Sequence, residues 1–212
     1  MQLNLPLAID IEYGADNFVI SACNFEAYNA VMHDKWFNNR LLIMGEAGCG
    51  KTHLCKIWAE MNDAIFIDEN FVFDTNTPII LKNVDQYDEE FVFHVINHCQ
   101  NNHSKLLMTN ASFPSLQLAD LKSRIQATQY YMIHKPDFDL LKLILIKQFN
   151  DMQIDVPLNV IEYALKFLTR DFKTVREFAY QINHLSMSQK RNITLPFIKQ
   201  YMLTNGYLAQ TA

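Results

Sequence analysis

The sequence predicts an α/β fold in which helices cover a parallel sheet, followed by a small domain made only of helices. Short apolar runs alternate with helical stretches through the first two-thirds of the chain, which is typical of parallel sheets. After Lys135-Pro136 the periodicity is helical only. The 212 residues are half hydrophobic, so the chain can bury a sizeable core in one large domain or in a medium and a small one.

Five runs are predicted as strands, at residues 41–44, 64–68, 78–81, 105–109 and 130–133. Helices are predicted between them at residues 51–61 and 89–101, and after them at residues 137–151, 159–168, 172–185 and 195–203. Pro157 and Pro196 lie near helix starts, where proline is tolerated, and Thr194 is the predicted N-cap of the last helix. The pattern therefore predicts a five-stranded sheet and a domain boundary near Pro136.

Composition and charge limit the classes of function. Lys and Arg number 18 against 23 Asp and Glu, and the net charge of −5 is unfavourable for a protein that binds DNA over a wide surface. The four cysteines show no CxxC spacing, and the N-terminus lacks the basic and apolar regions of a signal peptide. Because no apolar run is long enough to span a bilayer, we expect a cytoplasmic protein with no membrane partner.

A phosphate-binding loop follows the first predicted strand. Residues 45–52 match the pattern G-x-x-x-x-G-K-[ST], between the apolar run LLIM and the helical run HLCKIWAEM. Backbone N–H groups of such a loop face phosphate oxygens, and the helix N-terminus adds partial positive charge. We expect Lys51 to reach the terminal phosphates and the Thr52 hydroxyl to bind Mg²⁺. The predicted nucleotide site comprises Gly45, Glu46, Ala47, Gly48, Cys49, Gly50, Lys51, Thr52 and His53.

The acids that P-loop ATPases carry at the end of a neighbouring strand are missing. Such a carboxylate holds Mg²⁺, but here the predicted strand at residues 79–81 is followed by Lys82 and Asn83. The nearest carboxylate, Asp85, falls in the predicted following loop, although a shifted register would let it serve. With the register as predicted, the chain binds nucleotide and hydrolyses it poorly.

Several segments around the loop resemble the AAA+ core of the DnaA replication initiator. They are Asn17-Phe18-Val19-Ile20 with Asn24, Phe93-His94-Val95-Ile96-Asn97, Asp120-Leu121-Lys122-Ser123-Arg124 and Lys173-Thr174-Val175-Arg176-Glu177. The resemblance implies ADP or ATP as the ligand, with Phe18 and Val19 near the adenine. It implies that Arg124 is an arginine finger acting in trans and that Arg176 is the sensor 2 arginine. It also implies that Thr109 and Asn110 form the sensor 1 region.

Two departures from DnaA point to one branch of these proteins. DnaA continues into a helix-turn-helix domain, which we do not expect here because the sequence stops at Ala212. The N-terminal Gln2-Leu3-Asn4-Leu5-Pro6-Leu7 is similar to peptides that dock on the sliding clamp, with Gln2, Leu3, Leu5, Pro6 and Leu7 as contacts. Together these features resemble the Hda family of DnaA regulators, in its compact, alphaproteobacterial HdaA-like form. The expected segments are a clamp peptide (residues 1–8), an AAA+ base (9–135) and a helical lid (136–212).

The resemblance implies negative regulation of replication initiation. The chain would bind the DNA-loaded clamp (the β subunit of DNA polymerase III) and present Arg124 to ATP held by DnaA, so that DnaA hydrolyses it. The chain would reach DNA through the clamp and would bind DNA directly only weakly. Whether the chain forms a homo-oligomer is left open. There are two alternatives. One is an independent ATPase such as a DnaC-like helicase loader, and the other is a short DnaA paralogue that binds origin DNA. His94 and His98, with Cys99 beside them, have a spacing that could hold a zinc ion, but the resemblance to DnaA accounts for His94 without metal and no third ligand is placed.

Overall fold

The computed structural model describes residues 18–73 and 76–207. The chain forms two compact units, one of residues 20–136 and one that contains residues 137–207 together with Phe18 and Val19. The predicted clamp peptide at residues 1–8 lies outside the described residues. In the described part of the chain, no helix combines the length and apolar character that a membrane span requires.

The first unit is a five-stranded parallel sheet with helices, as predicted. Its strands are β1 (Arg40–Met44), β2 (Ile65–Phe66), β3 (Ile79–Leu81), β4 (Leu106–Asn110) and β5 (Gln129–Met132), and their order across the sheet is β2-β3-β4-β1-β5. Its helices are α1 (Phe25–His33), α2 (Lys51–Asn62), α3 (Glu89–Asn101) and α4 (Ala119–Gln126). The predicted fold class is therefore confirmed, with β2 shorter than the run at residues 64–68 and with α1 and α4 added to the predicted helices.

The inner strands β1 and β4 have continuously apolar sequences because both of their faces are buried. All five residues of β1 and of β4 are buried, because parallel strands with helices on both faces expose neither side to water. Alternate residues, such as Leu42 and Met108, join a core cluster with side chains of α3 and α4. The edge strand β5 instead alternates half-buried and exposed residues. Burial thus decreases from the middle of the sheet to its edge.

The register of the sheet places the carboxyl ends of its strands together. Met44 pairs with Asn110 of β4 on one side and with Met132 of β5 on the other. Leu81, the last residue of β3, pairs with Met108, two residues before the end of β4. The loops that follow β1, β3, β4 and β5 therefore leave the sheet along one edge, where parallel α/β sheets bind their ligands.

The second unit contains four helices around their own core. They are α5 (Phe138–Asp151), α6 (Leu158–Leu165), α7 (Phe172–Gln189) and α8 (Leu195–Thr204). Buried side chains from all four, including Leu145, Val160, Phe178 and Phe197, form one cluster. Helix α6 ends three residues before the predicted 168. Helix α7 ends at Gln189, four residues past the predicted 185, and Lys190 follows it in the left-handed conformation.

Two of these helices begin with an aspartate cap. Asp137 accepts a hydrogen bond from the Leu140 N–H at 2.7 Å, and Asp171 accepts one from the Thr174 N–H at 2.7 Å. Thr194 holds the N-cap position of α8 as predicted, but its side chain makes no capping hydrogen bond. The sequence thus predicted the residue at the N-cap of α8 correctly, but the expected side-chain hydrogen bond is not formed.

Replacing Asp171 tests the cap of α7. Asp171→Ala should lower the free energy of unfolding by about 1 kcal/mol, because it leaves a helix N–H without its acceptor. Thr194→Ala is the matched control at a cap position that makes no such bond, and it should cost clearly less. Urea denaturation followed by far-UV circular dichroism measures both, and equal losses in the two variants would contradict the assignment.

The Asp171 cap also predicts a pH dependence. Burial alone would raise the pKa of Asp171, but hydrogen bonds from Thr169 and Thr174 outweigh burial and lower that pKa. A carboxyl group whose pKa is lower in the folded state stabilises the fold above its unfolded pKa, and this contribution is lost as the pH falls through the folded pKa. The stability difference between wild type and Asp171→Ala should be constant above roughly pH 5 and should shrink below about pH 4. A difference that persists unchanged to the acid limit of folding would argue against the ionised cap.

Candidate nucleotide site

The phosphate loop leaves the sheet at Gly45 under tight steric limits. The Gly45 N–H donates to the backbone oxygens of Asn110 and Ala111, both at 3.2 Å. Gly45 has φ +151°, and a Cβ there would lie 2.7 Å from Cys49 Sγ and 3.0 Å from the Ile133 backbone oxygen. Only glycine satisfies both limits, so this position fixes how the loop turns away from β1.

The loop ends at the first turn of α2, where Lys51 begins the helix. The Lys51 ammonium donates to the backbone oxygens of Gly45 and Glu46, the latter at 2.9 Å, and therefore lies inside the loop. Thr52 is exposed in the same turn. The first N–H groups of a helix have no partner within it, so this turn offers donors and partial positive charge to an anion. The arrangement fits the phosphates of a nucleotide.

The Glu46 carboxylate contributes little to this loop. It lies 3.6 Å from the Lys135 ammonium, and the two side chains are 57% and 77% exposed. Exposed ion pairs of this kind contribute at most about 1 kcal/mol. The loop is therefore held by its backbone and by the Lys51 ammonium, and the weak pair with Lys135 does not fix the Glu46 side chain in place.

A cleft lies beside the phosphate loop in the same unit. It has a volume of about 570 Å³ and is lined by Ile20, Ser21, Ala22, Cys23, Phe25, Glu26, Met132 and His134. Its two sides are joined by a hydrogen bond from the His134 N–H to the Cys23 backbone oxygen at 2.9 Å. Ile133, between two of the lining residues, approaches Gly45. The sequence pattern did not identify Met132 and His134, because only the folded sheet brings β5 next to the residues after Val19.

The ends of β3 and β4 are tied together by side chains. The Asn83 N–H donates to Thr109 Oγ1 at 3.1 Å. Asn110 accepts from the Asp85 N–H at 3.3 Å and donates through Nδ2 to the Asp85 carboxylate at 2.7 Å. Thr109 and Asn110, predicted as the sensor 1 region, thus hold the turn that follows β3.

These bonds place Asp85 outside the strand. β3 ends at Leu81, and Asp85 lies in a 3-10 turn at Val84–Gln86, with its carboxylate engaged by Asn110. Lys82 and Asn83 therefore take the positions directly after the strand, as the sequence predicted. The site presents an ammonium group where Mg²⁺ would need a carboxylate, and these residues do not fit a Mg²⁺ ion.

Lys82 lies on the α2 side of the sheet. Its ammonium is 5.5 Å from the centroid of the Phe66 ring. Burial raises the pKa of the Cys55 thiol in α2 to about 12, against the opposing effect of the positive charges of Lys82 and Lys51. Both ammonium groups therefore act on the first turns of α2, and Cys55 stays a neutral thiol.

Arg124 lies at the opposite end of the sheet. Its Nη1 donates to Gln100 Oε1 at 2.8 Å, and its guanidinium carbon is 4.9 Å from the centroid of the Phe93 ring. Arg40, the first residue of β1, is 5% exposed, and its pKa is lowered by burial first and by the charge of Arg124 second. Arg124 is thus close to the amino end of β1, and the phosphate loop follows the carboxyl end.

The positions of Phe18, Val19 and Arg176 are described, but their predicted roles stay predictions. Phe18 and Val19 are half-buried and group with the helical unit. Arg176 lies half-buried on α7, where its neighbour Glu177 pairs with Lys173 at 3.8 Å. Their contacts with nucleotide stay predictions. Among the described residues, no group of three or more His, Cys, Asp or Glu side chains could hold a metal ion.

Comparison with known proteins agrees with this geometry. The model of the family "Hda, lid domain" matches residues 139–202, which span helices of the second unit. The chromosomal replication initiator protein DnaA of Buchnera aphidicola is 22% identical over 240 residues, which cover 95% of this chain and 55% of that protein. The chain is thus related to DnaA, and its second unit is similar to the lid domain of Hda. It spans about half the length of that DnaA relative.

Solved structures show the same fold. Domain III of the DnaA protein of Thermotoga maritima superposes with a TM-score of 0.78 at 18% identity, over 91% of this chain and 96% of that one. The AMPPCP-bound DnaA of Aquifex aeolicus gives a TM-score of 0.65 at 16% identity, over 79% and 64% of the two chains. This chain therefore has the fold of DnaA domain III over most of its length.

The space at Gly45 makes a direct prediction. Gly45→Ala and Gly206→Ala both place a side chain at positive φ, which costs about 1–2 kcal/mol, but nothing lies within 4 Å of a Cβ at Gly206. Overpacking should add about 1–3 kcal/mol at Gly45 alone. Denaturation followed by circular dichroism should show the larger loss for Gly45→Ala, and similar losses would disprove the steric limit at the loop.

Proposed function

We propose that this chain is a DnaA-related regulator that binds an adenine nucleotide and, on a DNA-loaded sliding clamp, promotes ATP hydrolysis by DnaA. The main support is the position of Arg124, at the end of the sheet opposite the phosphate loop of its own unit. Such an arginine cannot serve its own nucleotide, but it can reach a nucleotide held by a neighbouring subunit.

Adenine-nucleotide binding rests on two features of the first unit. The loop that starts at Gly45 leads into the first turn of α2, whose N–H groups have no partner within the helix, and Lys51 adds an ammonium group there. The cleft of about 570 Å³ next to Ile133 is large enough to hold a base, and its lining includes the apolar side chains of Ile20, Phe25 and Met132. ADP or ATP would thus place its phosphates in the loop and its base in the cleft.

The distance between Arg124 and its own phosphate loop follows from β1. Arg40 and Met44 are the first and last of its five residues, so about 3.3 Å per residue gives a separation of roughly 13–16 Å. The contacts with Gln100 and Phe93 hold Arg124 at the far end. Its planar fork can bind two phosphate oxygens at once and keeps its charge at any physiological pH.

A regulator of this kind does not need its own hydrolysis. An arginine supplied in trans stabilises the charge that develops on the γ-phosphoryl group and is worth about 10³–10⁵ in rate. The partner DnaA would provide the acids and the nucleotide that reacts. Lys82 and Asn83 after β3 are consistent with this division, because neither side chain can hold Mg²⁺ or activate water as a carboxylate does.

An independent ATPase, such as a DnaC-like helicase loader, is the second candidate function. The observation that favours it is the Asp85 carboxylate, which lies at the edge of the sheet that also carries the phosphate loop. A rearranged turn could bring this carboxylate to a metal ion. That candidate predicts ATP turnover by the chain alone, lost in Asp85→Ala.

The trans-acting arginine is tested with Arg124→Ala. This variant should bind nucleotide and clamp like the wild type, yet ATP hydrolysis by DnaA should fall to the rate measured without the regulator. Arg124→Lys should also be poor, because a point charge does not reproduce the bidentate fork. The measurement is the conversion of labelled ATP to ADP on DnaA in the presence of clamp loaded on DNA.

Arg191→Ala is the matched control. Arg191 also bonds a glutamine, through Nη1 to Gln200 Oε1 at 3.3 Å, and also lies over a phenylalanine ring, 5.3 Å from the centroid of Phe197. It belongs to the helical unit and not to the predicted finger motif. Arg191→Ala should stimulate DnaA fully. Full stimulation by Arg124→Ala as well would refute the finger assignment.

Clamp docking is a separate proposal that rests on the N-terminal sequence alone. Docking peptides place a few anchors in a preformed groove, and those anchors carry most of the binding energy. The double variant Gln2→Ala/Leu5→Ala should therefore lose clamp binding in a titration but keep nucleotide binding. Asn4→Ala, at the position between the predicted contacts, is the control and should bind normally. Undiminished affinity of the double variant would exclude the peptide.

A further inference from the structure

The position of Lys82 relative to α2 follows from the alternation of β3. Ile79 and Leu81 point into the core cluster with α3 and α4, so Ile80 and the next alternate position, Lys82, face the other side of the sheet. Phe66, which pairs with Ile80 and contacts the Lys82 ammonium, lies on that same side. Lys82 thus extends over the face against which the helix of the phosphate loop packs.

Two lysines therefore contribute positive charge on this side of the sheet, near the first turns of α2. Lys51 begins the helix, and Cys55, one turn later, responds to the charges of both Lys51 and Lys82. The described residues of the site add no carboxylate between them, because Asp85 is bound to Asn110 and Glu46 faces Lys135. The position at the end of β3, where a P-loop ATPase carries the carboxylate that holds its divalent cation, is here taken by Lys82. A divalent cation would be repelled from it, and an anionic oxygen would be attracted.

We propose that the Lys82 ammonium takes the place of the divalent cation, so that the chain binds ADP or ATP through phosphate contacts from Lys51 and Lys82 and without Mg²⁺. This inference rests on the proposed nucleotide binding and specifies its form. Free nucleotide carries one more pair of negative charges than its Mg²⁺ complex, and two ammonium groups with a helix N-terminus can balance them. Lysine is suited to this position because its compact charge sits on a flexible stem that can follow the phosphate.

The test compares nucleotide affinity with and without metal. A fluorescent ADP analogue is titrated against the full chain, once in excess MgCl₂ and once in EDTA. The wild type should bind in both, with a dissociation constant in EDTA that is equal to or lower than in MgCl₂. Lys82→Asp should bind at least about tenfold more weakly than the wild type in EDTA and should recover affinity when MgCl₂ is added, because it restores a carboxylate at the end of β3.

Two further variants make the outcome specific to this position. Lys35→Asp introduces the same change of charge at an exposed residue that precedes the amino end of β1, and it should bind like the wild type in both buffers. Lys82→Gln removes the charge without adding an acid, and it should bind at least about tenfold more weakly in both buffers. This variant keeps the test decisive if Lys82→Asp does not fold, as judged by circular dichroism.

Each result separates this inference from the function on which it rests. Binding by the wild type that appears only with MgCl₂ would overturn the role of Lys82 and leave nucleotide binding in place. Unchanged affinity of Lys82→Gln in EDTA would overturn it as well. No binding in either buffer would refute the proposed nucleotide site itself, and with it this inference. Loss of binding in Lys51→Ala under both conditions locates the measured affinity at the phosphate loop.

Discussion

The shared edge at which parallel strands end is the constraint on which the site depends. Because β1, β4 and β5 run in register, Met44, Asn110 and Met132 end at one level of the sheet. Gly45 can then donate to the backbone after β4 and pass close to Ile133 after β5. A side chain at Gly45 or a shift in register would separate the loop from both neighbours, so the phosphate loop depends on the sheet as well as on its own glycines.

Local patterns in the sequence were sufficient for much of this architecture. All five strands were predicted from short runs rich in apolar, β-branched and aromatic residues, and the phosphate loop was predicted because its pattern lies within eight successive residues. α1 and α4, helices of nine and eight residues, were not among the predicted helices. The strand β2 was predicted too long, because the apolar run continues although only Ile65 and Phe66 pair with β3.

Contacts between distant parts of the chain were beyond such patterns. The bonds between Asn110 and Asp85 join residues 25 positions apart, and those between Arg124 and Gln100 join residues 24 apart. The sequence identified Arg124 by resemblance but gave no sign of the glutamine and the ring that hold it. It likewise placed Lys82 after a strand without showing that the Lys82 ammonium lies against the Phe66 ring. Side-chain environment depends on which strands become neighbours, and the order β2-β3-β4-β1-β5 is not the order of the sequence.

The separation of the phosphate loop from Arg124 has a consequence for assembly. If Arg124 acts in trans as proposed, one edge of the sheet receives an arginine and the opposite edge offers one. A contact that uses both edges is then head-to-tail, and such contacts continue along a row unless rotation closes them into a ring. With Lys82 in place of an acid, this chain could donate to a neighbour yet would do no chemistry with an arginine that it received. In a row of active ATPase subunits it would therefore act as an end piece, which completes the last working site and offers no further one.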